Sequence, residues 1–302
     1  MQKSRCIKIL LISILVSLLH ESTLAAPPAF DQVTSWGYQL TGYEGRGFDS
    51  LVSAPVDLLV IDLSRDGGSE YFTADEVSTI KSTDKIVLAY FEIGAIERYR
   101  PEWSAVPTDL MAGQVEGWPK EQYVKYWDER WWPVVQSRIE LALKCGFDGI
   151  YLDLITAYEE IPDTGLSAEE RAKRMVALLA RISKFAKARN RDFKIVAQNC
   201  PELATWSFWE PHTNNTYLRA IDGLALESPF YLAHDKPCDQ KWCRENRANA
   251  QFIKTQGKLL LGVDYAKAPR SLQDSYDRQR EAGFIPYVSV RALDQFVAPP
   301  GS

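Results

Sequence analysis

Gly146-Phe-Asp-Gly-Ile-Tyr-Leu-Asp153 is the stretch whose pattern decides the fold. It follows Val134 to Lys144, where apolar residues recur at helical spacing, so Gly146 falls just past a helix, where a left-handed stop is needed. The run itself is apolar on both faces, as a strand buried in a parallel sheet should be, and it ends in a carboxylate. Downstream, Ser167-x-x-Glu170 is a capping box, and Lys173 to Ala188 again has spaced apolar residues with Lys and Arg opposite. Helix, stop, buried strand, acid and helix make one repeating unit.

Working outward, the same unit recurs along the chain. Eight short strand-like runs appear in order: Ser35 to Leu40, Asp57 to Leu63, Lys85 to Gly94, Gly146 to Asp153, Lys194 to Cys200, Ile221 to Ser228, Lys258 to Tyr265 and Phe284 to Val290. Between them lie helix signals, including the capping box Thr73-x-x-Glu76 and the stops Gly257 and Gly283. Strands alternating with helices imply βαβ units and a parallel sheet. Eight units with no doubling back predict an α/β fold of one kind, a single (β/α)8 TIM barrel. No Pro/Gly/Ser-rich linker interrupts the chain, so residues 26–302 are expected to form one domain, as α/β barrels of about 200 to 250 residues usually do.

Residues 1–25 read differently. Lys3, Arg5 and Lys8 precede an apolar run from Ile9 to Leu19, and small residues end at Ala25, the pattern of a signal peptide. The run falls short of the about 20 residues a bilayer core requires. The chain is therefore expected to be secreted or periplasmic, with no stable membrane insertion after cleavage. Beyond residue 25 there remain 32 basic and 39 acidic residues, an acidic balance that argues against nucleic acid as a partner. In an oxidising compartment the close pair Cys238 and Cys243 can pin a loop. Cys145 and Cys200, mapped to opposite ends of their strands, are expected to be unpaired and partly buried. Four-cysteine zinc sites want short paired spacings, and only His212 and His234 remain beyond the leader, so neither a metal nor another cofactor is expected.

Barrel enzymes build their sites where strands end. Here Asp62 ends the second run, Glu92 the third, Asp153 the fourth, Gln198-Asn199 the fifth, Glu227 the sixth and Asp264 the seventh. Gathering so many acids at one mouth costs like-charge repulsion that a function or a bound cation must justify. Two chemistries use such a ring: glycosidic cleavage by a nucleophile and a general acid, and carboxylate binding of a divalent metal in a metal-dependent hydrolase. Aromatic residues at strand ends and in the following loops, among them Tyr38, Tyr43, Tyr90, Tyr99, Trp103, Trp118, Tyr158, Trp206, Trp209, Tyr231 and Tyr265, favour a carbohydrate, whose C–H faces stack on rings. A barrel that binds polysaccharide without cleaving it, assisting export or adhesion, would keep the aromatic rim and need no acid pair.

The segment ending at Asp153 resembles the fourth strand of glycoside hydrolase family 114. Trp36-Gly-Tyr-Gln-Leu, Leu59-Val-Ile-Asp62, Ala89-Tyr-Phe-Glu-Ile-Gly-Ala95, Gln198-Asn199 and Glu227-Ser extend that resemblance over nearly the whole chain beyond the leader. It implies a (β/α)8 barrel with endo-α-1,4-polygalactosaminidase activity, Asp153 as nucleophile and Glu227 as general acid/base. With those roles, Tyr38, Asp62, Glu92, Gln198, Asn199, Tyr231 and Asp264 are the expected substrate contacts. The expected partner is a polysaccharide, and an acidic cleft would draw in a cationic aminosugar polymer.

Overall fold

The computed structural model describes residues 29–162, 164–206, 215–233 and 235–300. The expected leader, Trp209, His212 and His234 lie outside these residues. All eight expected strands are present: β1 (Trp36–Gln39), β2 (Leu58–Asp62), β3 (Ile86–Glu92), β4 (Gly149–Asp153), β5 (Lys194–Gln198), β6 (Gly223–Glu227), β7 (Leu259–Asp264) and β8 (Ile285–Val288). Each pairs in parallel with the next to form one eight-stranded sheet. The sheet curls into a nearly closed barrel, the predicted fold. At its seam, the Trp36 indole N–H donates to the Ile285 carbonyl at 2.9 Å and the Leu40 N–H to the Leu293 carbonyl at 2.7 Å.

Among the described residues, eight α-helices lie between the strands: α1 (Arg46–Ser53), α2 (Ala74–Lys81), α3 (Trp132–Lys144), the single turn α4 (Ala157–Glu160), α5 (Ala168–Lys187), α6 (Thr216–Ala220), α7 (Lys241–Thr255) and α8 (Pro269–Glu281). Both capping boxes form, at Thr73 and at Ser167. Gly146 has φ 82°, the left-handed stop that ends α3 and aims the chain into β4. Among the described residues no helix follows β8. An irregular segment, residues 289–300, runs back over the seam instead. Its Phe296 packs so closely on Gly37 that a Cβ there would meet the ring at 2.5 Å.

Two apolar layers hold the barrel. Leu59, Ile61, Val87, Ile150, Leu152, Ile195 and Leu224 face outward onto helical residues such as Val77, Ile139, Leu179 and Ile253. The strand positions between them point inward, where Trp36, Tyr38, Tyr90, Tyr151 and Tyr287 fill the interior with rings whose centroids lie 5.2 to 6.5 Å apart. Tyr38 and Tyr90 are therefore core residues of the barrel, not open stacking surfaces. A pleated strand sends alternate residues to opposite faces, and that parity controls the site.

The interval between β3 and α3 is the largest departure from a plain barrel. Residues 95–97, 111–114 and 121–124 form a three-stranded antiparallel sheet in the order 95–97, 121–124, 111–114. Cys238 and Cys243 are bonded, at 2.05 Å, and Cys145 and Cys200 are free and buried. No helix among the described residues is long and apolar enough to cross a membrane.

Candidate active site

At the C-terminal mouth of the barrel, a cavity of about 550 Å³ is lined by Asp62, Glu92, Asp153, Gln198, Asn199 and Glu227. Each of these except Asn199 is in phase with an inward strand residue two positions earlier, as in Tyr90 to Glu92, Tyr151 to Asp153 and Ala225 to Glu227. Tyr38 lies on the floor of the cavity, almost wholly buried, with its hydroxyl 3.4 Å from Gln198 Oε1.

Asp264 and Tyr231 depart from the expectation. Asp264 falls one residue out of phase with the inward Leu261 and Val263, so its carboxylate faces the outer helices. There it accepts from the N–H groups of Phe230 and Tyr231, from Ser275 Oγ and from Gln279 Nε2. It is a fully buried anchor between β7 and α8, away from the cleft. Tyr231 is turned the same way, its hydroxyl donating to Asp274 at 2.6 Å. The inward residue at the end of β7 is Tyr265, whose hydroxyl donates to Glu227 Oε1 at 2.6 Å.

Asp153 and Glu227 are each held by a small set of donors. Asp153 accepts from Tyr90 Oη at 2.8 Å and from the next N–H, Leu154, at 2.6 Å. Glu227 accepts from Tyr265 and from Gln198 Nε2 at 3.3 Å, while its own N–H donates to Asn199 Oδ1 at 2.9 Å. Leu154, Asn199, Cys200 and Ser228 all have φ between 53° and 61°. The left-handed backbone thus falls directly after the strands that carry Asp153, Gln198 and Glu227, and strain of that kind concentrates where side chains must be aimed. Burial, and next the negative charge of Glu227, push Asp153 up to about 7 against the opposing bonds from Leu154 and Tyr90. Two acids at one point resist being ionised together.

The long β3–α3 interval brings further groups that the strand-end reading did not reach. Arg100 binds both oxygens of Asp62, at 2.8 and 2.7 Å, and both oxygens of Glu97, each at 2.8 Å. Glu121 comes from the same small sheet and lines the cavity. Burial, followed by the charges of Glu97 and Asp153, pushes Glu121 up to about 8. Burial likewise raises Glu92 well above the carboxylate range, with Glu97 and Glu121 adding to it. Glu92 Oε2 and Glu121 Oε1 are buried and accept no hydrogen bond within the described residues. Arg100 thus fills the space between Asp62 and Glu97, and the described residues hold no group of three or more His, Cys, Asp or Glu side chains placed to bind a metal. Tyr99 and Trp118, both 51 % exposed, stand at the rim with Arg291.

The family model described as "Glycoside-hydrolase family GH114" matches residues 19–301. An uncharacterized protein of Deinococcus radiodurans is 30 % identical over 276 residues, covering 89 % of this chain and 84 % of that protein. One from Methanocaldococcus jannaschii is 27 % identical, over 86 % of this chain and 77 % of its own. Among solved structures, Aspergillus fumigatus Ega3 in complex with galactosamine superposes with TM-score 0.69 at 15 % identity, over 92 % of this chain and 99 % of that one. The glycoside hydrolase domain of Pseudomonas aeruginosa PelA gives 0.67 at 16 %, over 88 % and 98 %. At such identities these two bear on the fold.

Proposed function

The chain belongs to the glycoside-hydrolase family GH114, and from that membership we propose that it is an exported, endo-acting, retaining hydrolase of an aminosugar polysaccharide such as α-1,4-polygalactosamine. Asp153 attacks the anomeric carbon as the leaving oxygen takes a proton from Glu227. Glu227 then draws a proton from water, which releases the sugar from Asp153 with net retention. The observation that carries this reading is the held pair itself: Asp153 and Glu227 line one cavity, each fixed by a tyrosine hydroxyl.

The aminosugar reading is supported by the free acceptors. Buried carboxyl oxygens without donors are costly, and an ammonium brings both a positive charge and three N–H donors. Glu92 and Glu121 would be satisfied by such a group on a bound sugar, and binding it would favour their ionised forms. Endo action is supported by depressions that adjoin the acid cavity and share lining residues with it, among them Glu227, Tyr265 and Arg291, which gives room for a chain longer than one sugar.

The test is hydrolysis of partly deacetylated α-1,4-galactosamine polymer, read as new reducing ends, with the first-formed anomer identified by proton NMR. Asp153→Asn and Glu227→Gln should each abolish release while still binding polymer, and the wild type should form the α-anomer first. Wild-type protein that binds polymer but releases no ends at any pH would leave the binding-barrel reading in its place. The leader makes a second expectation: N-terminal sequencing of exported protein should begin at Ala26, and an intact Met1 on exported protein would contradict it.

A further inference from the structure

Three large apolar side chains stand out as exposed among the described residues, Tyr99, Trp118 and Trp242. Tyr99 and Trp118 border the acid cavity, whereas Trp242 lies on α7 at 47 % exposure. It lines an adjoining groove of about 1120 Å³ that shares Glu227, Tyr265 and Asn199 with the acid cavity but does not touch Asp153. Small-molecule pockets run to about 1,000 Å³, so this groove has room for more than one sugar.

One face of α7 is built for it. Trp242, Glu245, Asn246 and Asn249 fall at i, i+3, i+4 and i+7, the spacing of a single helical stripe, and all four line the groove. The adjoining stripe, with Cys243, Ala250 and Ile253, is buried. A ring beside amide and carboxylate groups is the combination that grips a sugar, whose faces are apolar and whose edges are hydroxyls. The start of α7 is also tied down: the Cys238–Cys243 bond closes just after Trp242, and Arg247 donates to the Pro229 and Cys238 carbonyls. Pro229 follows Glu227 by two residues, so the platform is braced to the strand end that bears the acid/base.

We propose that this groove binds the sugars on the leaving-group side of the scissile bond, with Trp242 as the outer stacking platform and the Cys238–Cys243 bond as the clamp that fixes it. The side follows from the chemistry: the leaving oxygen is protonated by Glu227, and the groove opens beside Glu227 and not beside Asp153. This rests on the hydrolase reading above.

The experiment compares wild type with Trp242→Ala, Trp242→Phe, Asn246→Ala and the double Cys238→Ser/Cys243→Ser variant on α-1,4-galactosamine oligosaccharides of increasing length. Trp242→Ala should lose about tenfold in kcat/KM on long chains, through KM and increasingly with length. Trp242→Phe should regain most of that loss, and the double serine variant should reproduce it in part. Trp242 is half exposed, so its truncation opens no core; should Trp242→Ala nonetheless fail to fold, Asn246→Ala carries the same length-dependent expectation. Variants with wild-type KM at every length, against an active wild type, would overturn the groove and leave the hydrolase reading intact. A wild type inert on every polymer would remove both.

Discussion

Tyr90 sits with its hydroxyl 2.8 Å from Asp153 Oδ2, and that bond favours the carboxylate against the burial that raises it. A nucleophile must be ionised, so kcat/KM should fall as pH drops through about 7, the value to which Asp153 is pushed. Removing the phenol in Tyr90→Phe takes away a bond that lowers the pKa, so the acid limb should move upward, by about one unit. An unchanged or lowered limb in a pH–rate profile would contradict the assignment of Asp153 as the group that must lose its proton. At this scale the sequence showed which strand ends carry acids but not, in every case, which way they point. Asp153 and Glu227 end runs whose inward residues, Tyr151 and Ala225, are two positions back. Asp264 breaks that parity and Tyr265 keeps it, so counting back from Val263 was the available signal. Tyr231 had no such signal, because its direction depends on Asp274, 43 positions away in the chain.

The β3–α3 interval supplies Glu97, Tyr99, Arg100, Trp118 and Glu121 to the mouth of the barrel. Its position was legible, since βα connections usually run about 2 to 6 residues and this one lies between β3, ending at Glu92, and α3, starting at Trp132. Its internal antiparallel sheet was not, because strands of three or four residues are too short to show a period. The helices and barrel strands were readable because caps, glycine stops and apolar runs agreed with one another. Arg100 is the keystone of the interval, with its side chain 6 % exposed between two buried carboxylates. Arg100→Ala leaves both acids buried without their counter-charge, with only the Ser64 N–H on Asp62 and the Tyr99 hydroxyl on Glu97, and should cost about 3 to 5 kcal/mol. Arg100→Lys should recover only part of that, because an ammonium cannot bind two carboxylates in bidentate fashion. Chemical denaturation checks both; an alanine variant as stable as wild type would show that water already reaches the pair.

Across the whole molecule, the family match, the eight strands and the positions of the acids agree on one architecture, and its weakest join is the seam. There the Trp36 to Ile285 bond links residues 249 positions apart, and among the described residues a loop segment stands where a helix after β8 would. Phe296→Ala should loosen that segment from Gly37. The expected result is faster amide exchange in β1 and β8, a loss of about 1 to 3 kcal/mol in stability, and unchanged kcat on polymer. Exchange confined to its wild-type rate in both strands would show the seam to be held by other contacts.

The seam and the chemistry lie on different parts of the ring. Asp153 and Glu227 sit on β4 and β6, joined directly through β5, while β1 and β8 carry no member of the pair. A barrel that opens there does so as a locally unfolding unit of its own, at the end of the strand order farthest from the reacting carbon. Opening along that edge would leave the strands that carry the two carboxyls paired through β5.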